Sequence, residues 1–168
     1  LGQRYALHAG RDRLRKVCER VLKELLQPRT EGLPPPFIET IAARLGPGVH
    51  TTLYWLPLLE RALAKAEVHR QRRLYAIQLA APGSNEKAMI LHRPPGHSSW
   101  KDALRPPLPD PEKDIVVLRL SGGLSPEDEP LLSSPLITED DLIEGLLQPE
   151  AALTREWAAA LLGWLRIP

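Results

Sequence analysis

The feature that most constrains this chain is the run "DIVVLRL" at residues 114 to 120. It is too short for a helix that buries itself on all sides, and it is rich in β-branched residues, so it reads as a strand. A strand apolar at consecutive positions has no solvent face. It belongs inside a sheet covered on both sides, as in a parallel α/β sheet. "LYAIQLA" at 74 to 80 and "KAMILH" at 87 to 92 read the same way. Of the 18 prolines, many cluster in "LPPPF" at 33 to 37, "RPPG" at 93 to 96 and "RPPLPDPEKD" at 105 to 114, which excludes one continuous helical bundle.

Helices supply the cover. Residues 11 to 26 place Leu14, Val17, Cys18, Val21, Leu22, Leu25 and Leu26 on one apolar stripe. A second helix starts near Pro35 or Pro36, carries Phe37, Ile38, Ile41, Ala42 and Leu45 on one face, and has Gly46 as its left-handed stop. "GPGVHTTLYW" then turns into a strand, and a helix follows from about Pro57 to Glu67 with Leu59, Ala62, Leu63 and Ala66 facing inward. "LITEDDLIEGLL" at 136 to 147 starts another, with Thr138 as cap and Asp141 at the third helical position. A last helix, roughly 150 to 165, carries Leu153, Trp157, Leu161, Leu162 and Trp164 on or near one face. Residues 93 to 113 and 121 to 135 are proline-rich or irregular loops. The order predicts one α/β domain over residues 1 to 168, a largely parallel sheet covered by helices. The sheet is expected to be incomplete at both ends of the chain, as in a fragment of a larger protein.

Hydrophobic residues at 43% and charged residues at 26% suit a globule with a core, and the net charge of +1 gives no general affinity for nucleic acid. The run "RQRR" at 70 to 73 reads as a solvated helix end. The single cysteine, Cys18, excludes disulfides within the chain and fits a buried small hydrophobe in a reducing, cytoplasmic setting. No apolar stretch approaches the about 20 residues that span a bilayer, so no membrane partner is expected.

"TTLYWLPLLERAL" at 51 to 63 resembles the strand-turn-helix of bacterial sirtuin-like domains, whose pattern is T-T-N-Y-D followed by L-L-E-x-A. "VVLRLSGGL" at 116 to 124 is similar to that family's strand ending in K-L-H-G, and "LITEDDLIEGLL" to its segment of threonine, two acids and a hydrophobic helix. The resemblance implies a Rossmann-like fold binding NAD at the carboxyl ends of its strands. Many bacterial members cleave NAD in antiviral defence. It places cofactor contacts at Thr51, Thr52, Leu53, Trp55, Ser121 and Gly122.

The polar residues of that pattern are replaced. Leu53 stands at the Asn position, Trp55 at the Asp and Ser121 at the His, while Thr51, Thr52, Tyr54, Leu59, Glu60, Arg61 and Gly122 remain. "LHAG" at 7 to 10 is no convincing phosphate-binding loop. Cleaving the nicotinamide-ribose bond needs groups that orient ribose and water and a destination for a proton. Leucine and tryptophan offer no acceptor, and a lone serine hydroxyl is a poor base. Trp55 could stack on a base; beside apolar Leu53 it is expected to fill the cofactor's space instead. His50 is the one credible surviving base, although a surface histidine is the simpler reading. His92 and His97 read as exposed loop residues rather than metal ligands, and Glu139, Asp140 and Asp141 as capping acids rather than a cation site.

The sequence therefore predicts a catalytically degenerate sirtuin-like domain with no cofactor and no catalytic residue. It is expected to act as a structural or protein-interaction module whose partner is another protein or a flanking domain. The alternatives are an NAD-binding or NAD-hydrolysing effector with a non-standard site, and an unrelated α/β partner-binding domain.

Overall fold

The computed structural model describes residues 10, 13, 16–18, 20–21, 24, 35–78, 88–102, 106–110, 112–120, 123, 125–126 and 155–164. Five strands form one sheet: β1 (Gly48–Thr52), β2 (Leu74–Gln78), β3 (Met89–Arg93), β4 (Lys101–Asp102) and β5 (Ile115–Arg119). Their order is β1-β5-β2-β3-β4. β5 runs parallel to both β1 and β2, whereas β3 and β4 run antiparallel to their neighbours. The sheet is thus mixed: a parallel core of three strands carries an antiparallel extension. The chain returns from β2 to β3 along its own edge, and the connection from β3 to β5 contains the two-residue β4 within the stretch expected to be a loop.

Helices α1 (Pro36–Arg44) and α2 (Leu58–Lys65) pack on each other. α1 starts with proline in its first turn, where the missing N–H costs nothing. It ends in an extended Leu45 rather than a left-handed Gly46. The positive φ comes two residues later, at Gly48, where the chain enters β1. α2 runs into a 3-10 turn at Glu67–His69. α3 (Arg155–Trp164) is the last helix described. Of the helix expected at 11 to 26, Arg13, Lys16, Val17, Cys18, Arg20, Val21 and Glu24 are helical, with Val17 and Cys18 half-buried and Val21 exposed. Burial raises the Cys18 thiol above its ordinary pKa, which suits an inert packing role. The helix expected at 136 to 147 lies outside the described residues.

The period of two along the central strands divides the core. Leu74, Ala76, Ile115 and Val117 face α1 and α2, packing with Ile38, Ala42, Ala62 and Leu63. Tyr75, Ile77 and Val116 face the other way, packing with Trp157 and Leu161 of α3. Every residue of β2 is buried, as a strand covered on both faces requires. Among the described residues no helix is long and apolar enough to cross a membrane.

Two histidines are built into this packing. His69 is 1% exposed; its Nε2–H donates to the Ala42 carbonyl at 2.6 Å, and its Nδ1 has no partner. His92 is not a loop residue: it lies in β3 and stacks on Tyr75 at 4.9 Å between ring centroids. The partial burial that sets it apart from exposed His97 comes from the strand. Tyr75 also meets Trp157 edge-on at 5.7 Å, and burial pushes its hydroxyl up to about 12. Burial pulls both imidazoles below their ordinary pKa. The unfolded chain therefore takes up protons before the folded one. Stability is full above an unfolded histidine pKa of about 6.5 and falls as pH drops through the depressed folded values. Urea midpoints between pH 7.5 and 5 should decline, and replacing His69 and His92 with Gln should flatten that slope; an unchanged slope would contradict it.

Candidate functional site

In a parallel sheet the carboxyl ends of the strands are where ligands bind. Here they bring together Thr52 at the end of β1, Gln78 at the end of β2 and Arg119 at the end of β5. The turn after β1 carries Leu53, Tyr54 and Trp55 over this end. Ser121 and Gly122 lie outside the described residues, but Gly123, Ser125 and Pro126 are described and buried.

Arg119 organises the site. It shares a face with Ile115 and Val117, so its side chain points towards α2. There Nε lies 3.2 Å from Oε1 of Glu60, and both side chains are almost completely inaccessible, at 0% and 1%. Nη2 donates to the carbonyls of Tyr54 at 3.3 Å and Trp55 at 2.8 Å. The Gln78 amide donates to the Arg119 carbonyl at 3.4 Å. Desolvation works against both charges, raising Glu60 and lowering Arg119, and each opposes that cost by holding the other.

The chain after β5 then closes over the turn. Gly123 has φ of +125°, and a Cβ there would lie 2.1 Å from the Trp55 carbonyl oxygen. Only glycine permits this approach. Arg61 Nε–H donates to the Pro126 carbonyl at 3.1 Å, tying the same segment to α2.

The residues expected at the cofactor therefore divide. Thr52 accepts the Tyr54 N–H on its hydroxyl at 3.2 Å and so holds the turn. Thr51 is exposed. Leu53 and Tyr54 are each 63% exposed. Trp55 is half-buried and contributes its backbone carbonyl to the closure, as acceptor for Arg119 and seat for Gly123. At the β1 and β5 ends the described contacts are the Arg119–Glu60 ion pair, the Arg119 bonds to the Tyr54 and Trp55 carbonyls, and the approach of Gly123 to Trp55. The guanidinium donors described at this end are directed at protein carbonyls and at Glu60. His50 binds the Gly46 carbonyl through Nε2 at 3.0 Å, directing its ring away from the carboxyl end.

A cavity of about 360 Å³ opens at the opposite end of the parallel strands, lined by Pro47, Arg72, Arg73, Pro95, Lys113 and Asp114. Three of its lining charges, Arg73, Asp114 and Lys113, are paired within the protein. Arg73 grips Asp114 with Nη2–Oδ2 at 2.8 Å and Nε–Oδ1 at 3.1 Å, and Lys113 pairs with Asp110 at 3.0 Å. The run at 70 to 73 is thus only partly solvated: Arg70 and Gln71 are exposed, while Arg73 anchors the start of β5. Among the described residues no group of three His, Cys, Asp or Glu side chains converges as a metal site.

Sequence reading missed Arg119 and the role of Glu60. A signal was present: Arg119 interrupts an apolar run at an inward position, and Glu60 sits on the stripe of Ala62 and Leu63. Their pairing needs the fold, being 59 residues apart in sequence. A scan against protein-family models matches no family, and searches of curated proteins and of solved structures return no match.

Removing one partner leaves the other charged and buried. Arg119→Met and Glu60→Gln should each cost about 3–5 kcal/mol in urea denaturation, and Arg119→Met with Glu60→Leu should recover most of that loss. Single variants as stable as the parent would contradict the burial described. Gly123→Ala should lower the melting temperature, because neither its φ nor the Trp55 carbonyl leaves room for a methyl group.

Proposed function

We propose that this chain is a catalytically degenerate, sirtuin-like domain with a Rossmann-like parallel core, serving as a structural or protein-interaction module. The observation that carries the reading is the closure of the β1 and β5 ends by Arg119, Glu60 and the Gly123–Trp55 approach. A Rossmann-type cofactor needs that crevice open and lined by free donors. Here the polar groups are directed at the protein itself. The replaced positions Leu53 and Trp55 agree with this: one side chain projects into solvent, and the other residue serves through its carbonyl. A setting in bacterial defence and a cytoplasmic location come from the resemblance alone.

The test is to incubate the protein with NAD and quantify free nicotinamide. The reading predicts release no faster than in buffer, unaffected by His50→Ala or Ser121→Ala. Turnover abolished by either substitution would replace it with an NAD hydrolase.

A further inference from the structure

Among the described strands, β1 lies at one edge of the sheet. The Gly48 N–H donates to the Asp114 carbonyl, and the Leu120 N–H donates to the Thr52 carbonyl. In this parallel register Gly48, His50 and Thr52 turn their backbone groups towards β5, so Val49 and Thr51 turn theirs outward. Among the described residues nothing pairs with those outward groups.

An open edge is normally guarded by charge, proline or brevity. The opposite edge has these devices: β4 is two residues long, is made of Lys101 and Asp102, and lies within a proline-rich stretch. β1 has none of them. From Gly48 to Tyr54 the chain carries no Asp, Glu, Lys, Arg or Pro. Thr51, Leu53 and Tyr54 are exposed beside the open edge.

We infer that the β1 edge pairs with the β1 edge of a second copy of this chain, antiparallel about a two-fold axis at His50. This names the partner of the interaction module proposed above and rests on that reading. The geometry is self-complementary. With His50 opposite itself, Val49 faces Thr51 of the second copy, and these are the residues whose N–H and C=O groups point outward. Two such pairs exchange four backbone hydrogen bonds and join the two sheets into one. The edge is uncharged, so a second copy meets no like-charge repulsion, and a charged peptide finds nothing complementary. Beyond the pair, exposed Leu53 of each copy meets exposed Pro47 of the other.

Sedimentation equilibrium on the intact chain tests this. The parent is expected to dimerise. Thr51→Pro removes an N–H that the sheet itself does not use, so circular dichroism should be unchanged while self-association weakens by at least about tenfold. His50→Asp and His50→Lys should each give a folded monomer, because like charges then face each other on the axis, and an equimolar mixture of the two should form a heterodimer. A parent that stays monomeric, or a folded Thr51→Pro protein that dimerises like the parent, would overturn the inference. So would folded charge variants that fail to pair when mixed. None of these outcomes alters nicotinamide release, so failure of the pairing is separable from failure of the pseudoenzyme reading.

Discussion

The fold depends on the anchoring of β5 at both of its ends. This strand enters between β1 and β2, which precede it by 67 and 41 positions in the register. Such non-local insertion closes long loops and has no turn to set its alignment. A charged pair lies at each end. Arg73 holds Asp114 just before the strand begins, and Glu60 holds Arg119 where it finishes. A slip of one residue would turn Arg119 to the opposite face of the sheet, where α2 cannot reach it. Hydrophobic burial accounts for most of the stabilisation, but Val116 and Val117 would satisfy a shifted register almost as well. Both ion pairs form in the register that is observed.

The second of these pairs has a consequence for chemistry. Its guanidinium occupies the end of the sheet where a parallel α/β protein otherwise displays its ligand site. Arg119 holds the carbonyls of Tyr54 and Trp55, so the turn after β1 becomes part of the same closure. Gly123 then crosses that turn at a distance no side chain allows. The buried charge pair and the turn after β1 are held by the same guanidinium.

Much of this architecture was legible from residue pattern. The uninterrupted apolar character of residues 115 to 118 identified β5 as a doubly covered strand, and the spacing of Ala62 and Leu63 identified the inward face of α2. Alternation cannot report strand direction, so the antiparallel β3 and β4 were not foreseen. His92 carries two readings, the end of the strand at 87 to 92 and a loop residue of "HRPPGH"; the strand reading holds, because the first two residues of that segment end β3. The end of α1 was misread because Gly46 suggested a left-handed stop, whereas the chain uses an extended Leu45 and reserves positive φ for Gly48. At the candidate site the side chains of Leu53 and Trp55 drew attention by their type. The structure uses the Trp55 backbone instead, and pattern carries no information about a carbonyl's acceptor. Arg119 and Glu60 were visible as charges in apolar stripes, but nothing local couples them.

The central claim is that the β1 and β5 ends are closed by the protein's own groups. Amide hydrogen exchange with and without millimolar NAD tests it most directly, read at Tyr54, Trp55 and Leu120. The account predicts the same exchange rates in both conditions, because these amides lie under a closure that NAD does not enter. Marked NAD-dependent protection of Tyr54, Trp55 and Leu120 would contradict it.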